Sequence, residues 1–403
     1  MHLERREVEK LAMTELQAQT EQLGARKTAL SGTAKWLVAS LICLVLTTAL
    51  LEALLPLLRR RYAPYFRQQV ATSSLHLDDA RRFVGAKTFD SQLGWNEVPS
   101  ERNFVPGKQY VAQSYGDSFV KGDGVGPEET WQAHFEKLTG NAILNLGVGG
   151  YGLDQAVLKF EKYARNYPTR IALLGLYPHM YRRMLSYHSF YYFPNREGFV
   201  FAFKPIFVNR AQRFELIPPP CVDAACLVEV LSNKNSDVWR DVARYDYWYH
   251  LNQEKPVPGF PNTIKYVQVL QQIRRTQREY RGAENYFFVN ATAFDLAEYL
   301  IQRFVDQARA MGMTPVCVML YSPDDLRVIK SGIRLDDKLL TFLASKGIPH
   351  LDTSQYILNQ YSRDDRFESL SVSGTDRHMN SQGNRLIAEA LARGLGSMAM
   401  LVE

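Results

Sequence analysis

From about residue 109 onward, apolar runs alternate with helix-length amphipathic patterns. The strand-like runs are Gln109 to Ser114, Ala142 to Val148, Arg170 to Tyr177, Pro315 to Tyr321, and a weaker one at Pro349-His350-Leu351. Helical patterns fall near 128–138, 153–166, 292–311, 335–346 and 382–394. Short continuous apolar runs fit strands buried on both faces, and strands separated by helices fit a parallel sheet covered on both sides. The pattern therefore predicts an α/β domain over residues 109–395. Its alternation breaks between about 186 and 291, a stretch rich in Tyr, Phe, Pro and Asn that includes Ser189-Phe190-Tyr191-Tyr192-Phe193-Pro194. A segment of that length needs structure of its own, and we expect an insertion packed beside the functional face of the sheet.

The N-terminal part reads differently. Residues 1–35 are charged and mixed in sign. Leu3, Val8, Leu11, Leu16 and Leu23 give a loose helical pattern whose register is not sustained enough for a coiled coil. Trp36 to Leu51 carries no charge, Glu52 interrupts, and apolar residues continue to Leu58. Residues 36–58 are long enough to cross the roughly 30 Å hydrocarbon layer. The run starts far from residue 1 and no small-residue cleavage site follows it, so we expect one uncleaved transmembrane helix. Residues 59–108 form a polar, partly helical connector, in which Asp90 to Trp95 predicts an ordered turn leading into the domain.

Composition changes this picture little. A hydrophobic fraction of 46% and a charged fraction of 22% fit a folded chain with a sizeable core. The net charge of +6 is modest. No basic stripe with interleaved aromatics appears, which argues against a nucleic-acid partner. Arg26, Lys27 and Lys35 precede the apolar run, whereas Arg59, Arg60, Arg61 and Arg67 follow it. Taken alone, these charges lean slightly toward a cytoplasmic C-terminal part. Among the cysteines, Cys43 lies in the apolar run and Cys317 in a predicted strand. Cys221 and Cys226 bracket a short loop and are either a disulfide, which needs an oxidising compartment such as a periplasm, or two loop thiols. No Cys or His grouping has zinc spacing, and no cofactor is expected.

Three stretches carry chemistry. Gly116-Asp117-Ser118-Phe119 follows the first strand and precedes a glycine-rich turn ending in a helix start at Pro127-Glu128-Glu129-Thr130. A serine there is placed as a nucleophile at the mouth of a sheet, or merely caps a turn. Asn145-Leu146-Gly147-Val148-Gly149-Gly150-Tyr151-Gly152 follows a buried strand and opens a helix. Its spacing is not that of a dinucleotide loop, and a backbone N–H from it suits an oxyanion. Asp376-Arg377-His378 comes after the last strand. A loop histidine with a nearby aspartate suits a general base held by a carboxylate, while Asn380 or Ser381 suits the cap of the final helix.

In this order the three stretches resemble the SGNH/GDSL hydrolase superfamily. The resemblance runs through Gly116 to Phe119, Glu129-Thr130-Trp131, Asn145 to Gly152 with Gln155, and Asp376, His378, Asn380 and Gly383. It covers about 109–185 and 292–395. It implies a flavodoxin-like three-layer α/β/α sandwich with Ser118 as nucleophile, His378 as base, Asp376 as its orienting partner, and the N–H groups of Ser118 and Gly150 as oxyanion donors. One block departs. The family carries an Asn after the third strand, and this chain reads Gly175-Leu176-Tyr177-Pro178-His179 with no Asn. His179 is the candidate replacement donor, Arg182 and Arg183 are candidate positive charges, and loss of activity is the other outcome. Asp117 is expected to hydrogen-bond its loop. His2, His76, His134, His188, His250 and His350 are read as structural.

The resemblance implies an ester as substrate, and the membrane anchor and many aromatics suit a carbohydrate or lipid ester of the cell envelope. The first reading is an O-acyl esterase or O-acyltransferase of exported or cell-envelope polysaccharide. A non-catalytic scaffold subunit and a lipase or thioesterase are the alternatives. Insertion aromatics either line a sugar or acyl site or form a core of their own. The cysteine pair and the resemblance favour a bacterial inner-membrane protein with a periplasmic catalytic domain.

Overall fold

The computed structural model describes residues 2–66, 89–97, 104–192, 203–233, 235–279, 291–334, 336–361, 366–373 and 377–400. The chain divides into two compact units, Met1–Arg67 with Lys255–Ile273, and Gln68–Glu254 with Arg274–Glu403.

The first unit is built on α1 (His2–Leu54). The polar N-terminal pattern and the apolar run thus share one continuous helix. Gly32–Tyr62 is long and apolar enough to cross a membrane, and its large apolar side chains face outward.

The second unit is organised by a five-stranded sheet of β1 (Ala112–Tyr115), β2 (Ile143–Asn145), β3 (Ile171–Leu176), β4 (Thr314–Met319) and β5 (His350–Asp352). All neighbours are parallel, and the order is β2-β1-β3-β4-β5. That is the flavodoxin-like order, in which ligands bind beyond the strand ends where the order reverses, here between β1 and β3. Every residue of β3 is buried, which is why it reads as an unbroken apolar run.

The connecting helices follow the sequence pattern. After β1 come α2 (Ser118–Lys121) and α3 (Trp131–Thr139), the latter capped by Thr130, whose hydroxyl accepts from Ala133 N. Helix α4 (Leu153–Tyr163) links β2 to β3, and α5 (Pro178–Arg183) leaves β3. The chain continues through α6 (Asn262–Glu279), α7 (Ala291–Ala310) and α8 (Ser381–Ser397). Helices α3 and α8 pack together, as do α4 and α7. Right-handed crossovers place those pairs on opposite faces of the sheet. The core runs through both layers, from Phe135 and Leu391 to Phe160 and Phe304.

The turn expected at Asp90–Trp95 is a small hairpin pairing Phe89–Asp90 with Gly94–Trp95. The stretch 186–291 has a hairpin, Ile206–Arg210 with Arg213–Ile217, and short helices between 224 and 254. It falls into two parts, because Lys255–Ile273 groups with α1. The second-unit part has its own aromatic core, including Tyr187, Tyr191 and Phe203 with Trp239 and Tyr245. Asp246 holds its entry, accepting from the N–H groups of Tyr187 and His188. Cys221 and Cys226 form a disulfide with Cα atoms 5.4 Å apart.

Candidate active site

The serine is placed by what surrounds it. Strand β1 ends at Tyr115, and a Cβ on Gly116 would lie 2.3 Å from Val120 Cγ2, so only glycine lets α2 start so close to the strand. Asp117 caps α2, its carboxylate accepting from Phe119 N at 2.9 Å. This is the loop-bonding role read from the sequence. Ser118 is the first helical residue and is 5% exposed.

The second loop grips the same short helix. Asn145 accepts from Gly147 N at 3.0 Å and donates to Lys121 O at 3.0 Å. Val148 N donates to Gly116 O at 3.1 Å. Gly150 takes φ +79°, a left-handed conformation that glycine adopts without strain. Trp95 from the small hairpin donates to Gly149 O at 3.0 Å, and Gln155 accepts from Gly152 N as α4 begins.

The histidine arrives from the other end of the chain. His378 precedes α8, whose cap is Asn380, accepting from Gly383 N at 3.0 Å. Asn384 binds this loop to α3: it accepts from Trp131 N and donates to the carbonyls of Met379 and Asn380. His378 Nε2 then lies 2.8 Å from Ser118 Oγ. Asp376, the expected orienting carboxylate, lies outside the described residues, as does His76.

The segment after β3 is rebuilt. Tyr177 stacks on Phe119 with centroids 3.7 Å apart, Phe119 lies 5.1 Å from the His378 ring, and Tyr177 lies 5.3 Å from His179. One aromatic series thus runs from the candidate base to the candidate replacement donor. His179 Nδ1 lies 2.6 Å from Tyr192 Oη. Trp248 packs on Tyr192 and donates to Arg182 O at 2.9 Å. Most insertion aromatics therefore form its own core, while these two meet α5.

Arg183 does not face solvent. It pairs with Asp117 at 2.8 Å and also donates to Tyr151 O, joining the Ser118 turn, the glycine loop and α5. Burial pushes the Asp117 carboxyl above its usual range, against the pull of Arg183, the Phe119 amide and His378. Lys204, from the insertion, forms a second buried pair with Asp154 on α4. Sequence reading named Arg183 without its partner, named Tyr192 only within the aromatic run of the insertion, and missed the roles of Tyr177 and Lys204. The one local signal was the replacement of the expected Asn block by Tyr177-Pro178.

A parallel sheet with this order, a serine after β1 and a histidine ahead of α8 that approaches it define a flavodoxin-like α/β/α protein with a Ser–His pair beyond its strand ends. In the order of its motifs the chain resembles the SGNH/GDSL hydrolase superfamily. No family model and no curated protein matches the chain. Among similar solved structures is a member of the lipolytic protein G-D-S-L family from Veillonella parvula, at 12% identity and TM-score 0.34, covering 70% of this chain and 96% of that one. The TesA structure is similar at 9% identity and TM-score 0.35, covering 72% and 99%. A two-domain esterase active on acetylated mannans, co-crystallised with mannopentaose, is similar at 10% identity and TM-score 0.35, covering 73% and 50%.

Proposed function

We propose that this chain is a membrane-anchored serine hydrolase acting on ester bonds. Ser118 is the nucleophile, His378 the general base and Asp376 its orienting carboxylate. The observation that carries the reading is the 2.8 Å approach of His378 Nε2 to Ser118 Oγ. As Oγ attacks the ester carbonyl, its proton passes to His378. The carbonyl oxygen becomes an oxyanion against the N–H groups of Ser118 and Gly150. The imidazolium then protonates the leaving alcohol, and an acyl-enzyme remains. Water, activated by the same histidine, releases the acid. A sugar hydroxyl in its place gives acyl transfer.

His179 is the proposed additional oxyanion donor, its ring positioned by Tyr177 and Tyr192. The proposed substrate is an O-acyl, chiefly O-acetyl, group on a cell-envelope or exported polysaccharide. The proposed location is the bacterial inner membrane with the catalytic domain in the periplasm. The outward-facing apolar helix and the disulfide support that setting.

The absence of an Asn after β3 favours a second reading, a scaffold subunit with weak or no activity, since losing one oxyanion donor costs about 100- to 1,000-fold in rate. Hydrolysis of p-nitrophenyl acetate by the detergent-solubilised chain separates the two. The enzyme reading expects Ser118→Ala to lower the rate at least about 1,000-fold. Equal rates for the two proteins favour the scaffold.

A further inference from the structure

Glu52 is the one charge within the apolar run, six residues before Leu58, or roughly 9 Å along a helix from its end. A carboxylate at that depth needs donors of its own. Glu52 accepts from the backbone N–H groups of Asn262 and, at 2.7 Å, Thr263. These are the first amides of α6, which have no partner inside their own helix. Each group thus satisfies the other in a setting where neither could rely on water.

Helix α6 starts beside Glu52 and packs along the end of the span and the segment just after it. Tyr266 meets the rings of Tyr62 and Phe66 at 5.7 and 5.2 Å, and Val269 and Ile273 complete the contact. A second apolar set, three residues of α6 and Phe260 just before it, is uncovered. Phe260 is 83% exposed, and Ile264, Val267 and Leu270 are each about half exposed. The spacings of three put Ile264, Val267 and Leu270 along one side of the helix. Arg59, Arg60 and Arg61 close the span, and Arg274, Arg275 and Arg278 follow the apolar stretch of α6. Cations at the ends of apolar elements fit the headgroup layer.

We propose that residues 255–273 are a second membrane-embedded element, entering the lipid bilayer beside the span and locked to it by Glu52. The occupant of the exposed face is lipid, because α6 starts at Glu52, within a run whose large apolar side chains are themselves exposed. This rests on the reading that α1 crosses the membrane. The attachment then has two elements, and the chain joins them to the second unit at 67–68, 254–255 and 273–274.

Nitroxide labels on the full chain test this in bilayers of zwitterionic and anionic lipid, in a Cys43→Ser background. Labels are placed singly through Leu44→Cys, Ile264→Cys, Val267→Cys and Gln268→Cys. We expect Leu44, Ile264 and Val267 to collide with oxygen more than with a water-soluble nickel chelate, and Gln268 to show the reverse. Adding Glu52→Leu should abolish the oxygen preference at Ile264 while Leu44 keeps it. A chelate preference at Ile264 and Val267 with Leu44 still in lipid overturns the proposal. So does screening of both sites from both reagents, which would mean a protein covers the face. A chelate preference at Leu44 overturns the span reading itself.

Discussion

Ser118 is held by contacts that leave little room for substitution around it. Gly147 faces α2 so closely that a Cβ there would lie 2.4 Å from Lys121 N and 2.8 Å from Val120 C. Both are backbone atoms, so the loop or the helix must move. Gly147→Ala should cost about 1–3 kcal/mol and lower esterase activity, checked by urea unfolding in detergent and p-nitrophenyl acetate turnover. Arg183 and Asp117 form a buried pair, with Asp117 fully covered. Removing one partner strands the other, so Arg183→Met should cost about 3–5 kcal/mol; unchanged unfolding would contradict the pairing. At this scale Ser118, Asp117, His378 and Asn380 were legible because each lies in a short motif whose spacing has meaning on its own. The Arg183–Asp117 pair spans 66 residues, and Tyr177 gains its role only by stacking on Phe119. No local pattern carries such information.

Strands and helices around the sheet were readable because burial on two faces writes an unbroken apolar run and burial on one face writes an amphipathic helix. What joins the elements was less so. Asn384 ties the start of α8 to Trp131 on α3 and to the carbonyls flanking His378. Asn384→Leu should cost about 1–3 kcal/mol for the groups left unpaired and reduce kcat more than it raises KM, since it displaces His378, the proposed base. An unchanged kcat would show that the loop holds without it. Lys159, on α4, is buried with its ammonium donating to Glu97 O at 2.7 Å. Burial lowers its pKa from 10.5 to about 7. Between those values the unfolded chain holds the extra proton, so stability rises with pH across that window and levels off above it. Lys159→Met should flatten the rise in unfolding free energy measured from pH 7 to 10; an identical slope in the variant would contradict this source.

For the whole molecule, the apolar run was plain in the sequence, while the fate of residues 186–291 was not. Aromatic residues forming a separate core and aromatic residues lining a site have the same composition, and only contacts separate them: Phe203 and Trp239 pack with each other, whereas Tyr192 meets His179. Assignment of Lys255–Ile273 to the unit of α1 depends on Glu52 and Tyr266, which lie far apart in sequence. The disulfide bears on where this molecule folds. Denatured without reductant, it should present two free thiols, Cys43 and Cys317; four would remove the bridge and its support for a periplasmic domain. The central claim is that Ser118 is a nucleophile activated by His378, and fluorophosphonate labelling of the intact chain tests it without knowledge of the substrate. Mass spectrometry should find one adduct, on Ser118, absent in Ser118→Ala and formed much more slowly in His378→Ala. No adduct on Ser118 in the native chain, or equal labelling of all three proteins, would contradict it.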